Sequence, residues 1–380
     1  MLFSRIKKRK YRMMYIILII MVAIAATITG FMNLPKFGRS PRGERLERIK
    51  MSPNYRNGMF RNQQETKMLT SDQSRARVML NFLFEKKERN RPDAALPVIK
   101  TDLKALNRDT NLFVWFGHSS YLIQCYGKRL LIDPVFDEAS PVSFFNKPFK
   151  GTDIYKADDM PDIDYLIITH DHWDHLDYKT VTQLKDRIGK VICPLGVGEH
   201  FERWDFKKEQ VVELDWYEQF SPDSNFTVHC LPSRHFSGRT FRSNQTLWAS
   251  FIVKTPVQTV YIGGDGGYDK RFAETAQRFP DIDLAIMENG QYNKDWHDIH
   301  LMPEDLPKAI HDLLPKKILT VHNSKYALAK HAWDEPLNNI AATAEKESLP
   351  LIMPQIGEVV YLNDTIKPVN RWWDRTAPEE

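Results

Sequence analysis

The chain has 380 residues, 42% apolar and 27% charged, a balance that excludes a wholly disordered or collagen-like protein and suits one large domain with appendages. Its formal charge of +4 hides a division: residues 1–62 hold 14 Lys and Arg against 2 Asp and Glu, a charge of +12, and the remainder carries −8. An acidic body argues against a nucleic-acid enzyme, whose working face must offset phosphate charge, and a basic front end beside an apolar run points to anionic lipid.

Residues 1–12 form a basic tail with Arg5, Lys7, Lys8, Arg9, Lys10 and Arg12. Residues 13–32 follow without a charge, and these 20 residues span about 30 Å as a helix, the thickness of a bilayer's hydrocarbon core. They are expected to be an uncleaved single-pass anchor in the cell membrane. A cleaved signal peptide is the rival, because Ala23-Ile24-Ala25 resembles a processing site. Six more cations, from Lys36 to Lys50, follow the span, so charge asymmetry leaves the side of the body open; the compact N-terminal cluster favours an outside body.

Residues 33–65 are rich in Pro, Gly, Arg and Asn and are expected to be a linker that partly packs on the body. A domain over 66–365 and a tail over 366–380 complete the chain. Residues 71–89 suit a helix capped by Ser71. From Asn111 short apolar runs begin, and Leu112–Phe116, Ser120–Cys125 and Arg129–Ile132 read as hairpin-linked strands. Cys125, Cys193 and Cys230 are too few and too scattered for a disulfide framework and read as buried small hydrophobes. The loop over 140–152 puts Phe144, Phe145 and Phe149 beside Lys147 and Lys150, which suits either a lipid interface or filling between sheets.

Later strands each end at a residue able to bind metal. Tyr165–Ile168 runs into His170-Asp171-His172-Trp173-Asp174-His175. Thr227–Leu231 leads to His235, Thr259–Ile262 to Asp265, and Lys317–Val321 to His322. Helical stretches over Tyr178–Arg187, Lys270–Arg278, Pro303–Leu314 and Asn338–Glu347 lie among them, which fits two mixed sheets sandwiched by helices. Two imidazoles two residues apart can face one metal, and the aspartate and imidazole just beyond can reach a second.

His-x-His-x-Asp-His after an apolar strand resembles the metallo-β-lactamase-fold hydrolases, and His235, Asp265 and His322 follow in that family's order. More narrowly, Trp115-Phe116-Gly117-His118-Ser119, Ile132-Asp133-Pro134, Pro232-Ser233-Arg234-His235 and Gly264-Asp265-x-Gly267-Tyr268 are similar to the N-acylphosphatidylethanolamine phospholipase D branch. The resemblance covers about residues 110–363. It implies an α/β fold, a four-layer αββα sandwich with two metals at one sheet edge. One metal takes His170, His172, His235 and a bridging Asp265; the other takes Asp174, His175, Asp265 and His322. Zinc suits this set, and iron or manganese can also occupy carboxylate-bearing sites.

The implied chemistry is hydrolysis by a hydroxide activated by the two metals, on a membrane lipid or a small-molecule ester. Asp171 is a candidate to orient an imidazole or shuttle a proton, or is a solvated loop acid. His300 matches a histidine that the branch places against the phosphate. His331 either contacts substrate or packs beside Trp333, and His118 is expected to anchor a loop. Ile299, apolar where the branch has an amide, and Gly266, where it has a hydroxyl residue, bear on specificity. A lactonase acting on a sugar-phosphate or acyl lactone is the alternative activity, and a non-catalytic, membrane-tethered binding protein is the alternative class. A homodimer is implied by resemblance alone.

Overall fold

A computed structural model describes residues 2–74, 77–78, 80, 88–366 and 368–375. Most of the helix expected over 71–89 lies outside the described residues. The chain opens with α1 (Leu2–Met32), which joins the basic tail and the apolar run into one helix. Its Arg9–Met32 part contains an 18-residue stretch of mean hydropathy 2.4 and is long and apolar enough to cross a membrane.

Residues 33–65 are more than a linker. A turn of 3-10 helix at Pro35–Phe37 leads to α2 (Gly43–Met51) and to a small hairpin of β1 (Tyr55–Arg56) and β2 (Met59–Phe60). Opposite charge and two apolar anchors hold this segment down. Ile49 and Phe60 are fully buried, and the Arg45 guanidinium lies 2.5 to 2.6 Å from Glu199, Glu202 and Glu213. The basic front end therefore offsets carboxylates of the acidic body, a use of those arginines that composition alone does not separate from lipid binding.

The body has two seven-stranded sheets. The first is built from β3 (Leu112–Trp115), β4 (Tyr121–Cys125), β5 (Lys128–Ile132), β6 (Ile163–Ile167), β7 (Ile188–Pro194) and β8 (Val211–Leu214). The second is built from β9 (Gln219–Asp223), β10 (Phe226–Leu231), β11 (Ser250–Lys254), β12 (Thr259–Ile262), β13 (Leu284–Glu288), β14 (Ile318–Val321) and β15 (Leu351–Ile352). The last strand, β16 (Val359–Tyr361), returns to pair antiparallel with β3. β5, β6, β7 and β8 run parallel, as do β12, β13, β14 and β15. β10 is antiparallel to β11, and β11 to β12, so β10 and β12 point the same way.

Strand periodicity divides the core. Phe113, Trp115, Tyr121, Ile123, Leu130, Ile132 and Ile167 face the second sheet, whereas Leu112, Val114, Leu122, Leu131 and Leu166 face the outer helices. The first outer layer is α3 (Tyr178–Leu184) and α4 (Gly198–Arg203); the second is α5 (Arg271–Arg278), α6 (Leu306–Leu313) and α7 (Glu335–Glu347). The result is the expected αββα sandwich, with Cys125, Cys193 and Cys230 buried and unpaired.

Arg45 is the most consequential contact of the N-terminal strap. Its replacement leaves Glu199, 2% exposed, and Glu213, 9% exposed, short of a cation in a poorly solvated site. Arg45→Ala is expected to cost about 3 kcal/mol, the lower end for breaking a buried pair because Arg39 stays on Glu199. Urea unfolding of the two proteins measures this.

Candidate metal centre

All the predicted ligands sit just beyond the carboxyl ends of strands at one edge of the sandwich, where strand direction gathers residues far apart in sequence. β6 delivers the 170–175 loop, β10 delivers His235, β12 delivers Asp265 and β14 delivers His322. The amides of His175 and Leu176 donate to the His172 carbonyl (3.1 and 2.9 Å), which folds the loop back on itself. His170 Nε2 and His235 Nε2 then stand 2.9 and 3.2 Å from His172 Nδ1. Beside this triad, ligand atoms of Asp174, His175 and His322 gather within 4.8 Å of one another, together with His118.

Asp265 lies between the two groups. Its Oδ2 is 3.2 Å from His175 Nε2 and 3.9 Å from both His170 Nε2 and His235 Nε2, and its Oδ1 is 3.2 Å from His322 Nδ1. The backbone reaches this place through Gly264 at φ +59°, where a Cβ would stand 2.9 Å from Thr169 Cβ, so only glycine passes beneath the loop without strain.

The electrostatics suit cations. Burial and neighbouring imidazoles push His170, His235 and His322 well below the ordinary imidazole range, and burial takes His172 down to about 4. These rings are neutral at physiological pH, the form that ligates metal. Burial lifts Asp265 to about 6. Burial opposes a charge on His175 too, but Asp265, Asp174 and Asp133 hold it well above its usual value. His175 Nε2 and Asp265 Oδ1 are buried without a hydrogen bond of their own. Neutral imidazoles, an excess of carboxylate and unbonded buried donor atoms are what a pair of divalent ions would satisfy.

A family described as a beta-lactamase superfamily domain matches residues 128–323. An uncharacterized protein of Mycobacterium tuberculosis is 35% identical over 327 residues, which is 85% of this chain and 87% of that protein. The chain belongs to the beta-lactamase superfamily. With two ligand groups meeting at Asp265, it is a metal-dependent hydrolase of that superfamily. The N-acyl-phosphatidylethanolamine-hydrolyzing phospholipase D 1 of Caenorhabditis elegans is 29% identical over 252 residues, covering 62% of this chain and 70% of that one. Among solved structures, the diiron β-hydroxylase CmlA of Streptomyces venezuelae shares the fold at a TM-score of 0.52 and 16% identity, over 67% of this chain and 54% of that one.

Around the superfamily ligands lies a set of orienting groups that sequence reasoning missed. Asp133, at φ +41° after β5, faces His175 Nδ1 at 2.8 Å and accepts from Thr169 N and Oγ1 (2.8 and 2.6 Å). The carbonyl of Ile299 faces His235 Nδ1 at 2.8 Å. Each such acceptor holds the Nδ1 proton and leaves Nε2 for a metal. Ser119 Oγ lies 2.8 Å from His322 Nδ1, and His118 Nε2 lies 3.0 Å from Asp174 Oδ2. His118 does anchor a loop through its main chain, as expected, but its ring also steadies a ligand. Glu288 accepts from the amides of Gly266 and Leu301 with one oxygen and holds His300 Nδ1 at 2.7 Å with the other.

His300 thus stands beside the centre, its ring 5.1 Å from that of His235 and 5.5 Å from that of His322. Two other candidates do not. The catalytic role expected of Asp171 is corrected: its carboxylate turns away from the ligands and accepts from His200 Nε2 (3.0 Å), Gly238 N (2.7 Å) and Thr246 Oγ1 (2.9 Å). It orients the imidazole of His200, not of a ligand, and its oxygens are occupied. Of the two alternatives for His331, the substrate contact is corrected in favour of a packed histidine. Its Nε2 accepts from Gln291 N, its Nδ1 faces the Ala332 carbonyl, both at 2.8 Å, and its ring packs on Tyr292 at 4.6 Å.

A groove of about 820 Å³ opens at His235 and Phe236, within the size range of ligand clefts. Its outer wall is the strap over residues 56–73, whose described lining residues include Arg56, Arg61 and Lys67 against one acid, Glu65.

Burial opposes ionisation of Asp171, but His200 foremost, then His172 and Arg239, take it down to about 2 from 3.8. A depressed carboxylate stabilises the fold above its unfolded value and loses that contribution as pH falls through the folded one. Asp171→Asn is therefore expected to cost about 2 kcal/mol at neutral pH, with the difference from wild type shrinking between about pH 4 and 2. Urea unfolding of both metal-free proteins across that window measures it.

Proposed function

We propose that the protein is a membrane-anchored phosphodiesterase that hydrolyses a lipid of the N-acylphosphatidylethanolamine kind with two zinc ions. The observation that carries this reading is the meeting of two ligand groups at Asp265, beside a groove whose wall is cationic. An anionic phosphodiester headgroup matches that wall better than a neutral ester does. The N-terminal apolar helix supports a substrate that resides in the membrane, and the C. elegans relative is named for cleaving such a lipid.

In this reading His170, His172 and His235 would hold one ion and Asp174, His175 and His322 the other, with Asp265 available to both. Bound there, a pair of ions would supply a reactive water and Lewis acidity at the phosphorus centre. Asp133 and the Ile299 carbonyl keep the His175 and His235 rings in the tautomer that ligates. Arg56, Arg61 and Lys67 offset the charge of the headgroup. Glu288 fixes His300 through Nδ1, and His300 Nε2 protonates the leaving oxygen or binds a phosphate oxygen as it departs.

His172→Ala and Asp265→Ala are each expected to lower turnover of N-acylphosphatidylethanolamine in mixed micelles by about 10³-fold or more, the several kcal/mol that bound metal contributes. Elemental analysis should find two metals per wild-type chain and fewer in these variants. Wild-type rates in metal-depleted variants would end the hydrolase reading. Sugar-phosphate lactones and simple phosphodiesters, assayed alongside, identify a different substrate class if either is turned over faster. His300→Gln should retain both metals and lose about 10² to 10⁴ in kcat, the range for a positioned acid.

A further inference from the structure

We infer that two loops flanking the exit of α1, one carrying Phe144 and Phe145 and the other Phe241, form a face that inserts into the surface of the anionic bilayer that α1 enters. The inference rests on α1 spanning that bilayer. Phe144, Phe145 and Phe241 are 65%, 68% and 86% exposed, although burying a phenylalanine is worth about 1.5 to 3 kcal/mol. Phe144 and Phe145 pack on each other, with ring centroids 4.6 Å apart. Phe149, from the same run, is 3% exposed. The loop therefore uses one aromatic to fasten itself and projects two.

Both loops are tied to the turn that follows α1. Lys36 lies four residues beyond Met32, the last residue of the helix. Its Nζ is 3.2 Å from Glu138 Oε2, at the root of the first loop, where Asn146 Nδ2 donates to the Ala139 carbonyl (3.4 Å) and closes the tip. The Lys36 carbonyl accepts from Arg239 Nε and Nη2 (3.2 and 2.8 Å), at the root of the second loop. Thr240 and Arg242, on either side of Phe241, line a cavity of about 320 Å³ together with Met32 and Asn33. The roots of both loops thus lie at the turn that follows α1.

Their charge fits the same partner. Residues 140–150 and 237–245 contain no acidic residue and carry the exposed cations Lys147, Lys150 and Arg242, in a body whose net charge is −8. Exposed aromatics among cations, with no carboxylate between them, match an anionic lipid surface rather than an acidic or neutral protein groove. The metal loop joins this face directly. Trp173, between His172 and Asp174, packs on Phe37 (5.0 Å) and lies under the Arg239 guanidinium (4.0 Å).

Site-directed spin labels on the full chain test the face. The native cysteines are buried, so a label attaches at one introduced cysteine. Ile19→Cys in α1, Phe145→Cys, Phe241→Cys and Val257→Cys, on the exposed β11–β12 turn at the opposite sheet edge, are placed in phosphatidylethanolamine–phosphatidylglycerol liposomes. Collision rates with oxygen and with a water-soluble paramagnetic chelate are read. Labels at 145 and 241 are expected to show several-fold less chelate contact and more oxygen contact than the label at 257, as the label at 19 does. If the label at 19 is immersed and either loop label matches 257, the face is wrong and the anchor stands. If the label at 19 also matches 257, the anchor reading fails and takes the face with it.

Discussion

The centre depends on one carboxylate that two groups of imidazoles share. Asp265 stands within 3.2 Å of ring nitrogens of both His175 and His322 and 3.9 Å from those of His170 and His235. Burial raises its proton affinity and His175 opposes that rise, so holding it ionised requires imidazoles packed around it. That requirement explains the surrounding architecture. β12 must end at the same edge as β6, β10 and β14, Gly264 must turn without a side chain, and Asp133 must pin both Thr169 and His175. A four-layer sandwich with parallel strands on both sheets supplies that edge without any long-range loop having to be rigid by itself.

The N-terminal strap bears on the same edge from outside. Arg239 connects three things through one guanidinium: it donates to the carbonyls of Asp171 and Leu176 in the metal loop and to Lys36 beyond α1, and it covers the Trp173 ring. His200 adds a second link, from the amide of Arg39 through its two ring nitrogens to Asp171. A Cβ on Gly38 would fall 2.0 Å from the His200 ring, so the strap passes here at backbone contact. The loop that carries four of the seven candidate ligands is thus packed against the segment that follows the apolar helix α1. Arg45 and its glutamates fasten that segment to the first outer layer of helices.

What could be read from the sequence follows the range of the interactions. His170, His172, Asp174 and His175 share one turn, and their spacing shows directly. His235, Asp265 and His322 come from separate strands, but each follows an apolar run, and their order completes the set. The strands Leu112–Trp115, Tyr121–Cys125 and Lys128–Ile132 appear within a residue of their apolar patterns. Asp133 and Glu288 were not legible as partners of His175 and His300, because a lone acid after a strand looks the same whether it faces a histidine or water. In the sequence Asp171 and His331 stand open between a functional and a structural role for the converse reason. Neighbours in sequence to chemistry, they are turned away by His200 and Gln291, which only the fold brings near. The ordered strap over 33–65 has too few apolar residues to show a period, and its hold is shared between ion pairs and two buried anchors, Ile49 and Phe60.

The two departures from the phospholipase branch can now be placed. Ile299 meets the centre through its carbonyl, which orients His235, and its side chain is buried, 4% exposed. Any residue at that position can supply the same carbonyl, so the ligand's tautomer is protected from change there. Gly266 is different. A Cβ at this position would lie 2.3 Å from Ser233 Oγ, which bonds the Asp265 carbonyl, and 3.0 Å from the Arg271 guanidinium. A hydroxyl residue at 266 would have to displace Ser233, two residues from His235. The floor of the site is therefore packed differently here than a hydroxyl-bearing relative can pack it, while the seven ligands stay in register. Selectivity in this chain is accordingly to be sought in the small residues beside the candidate ligands and in the cationic wall of the groove, since the candidate ligands bear on reaction type and leave substrate open.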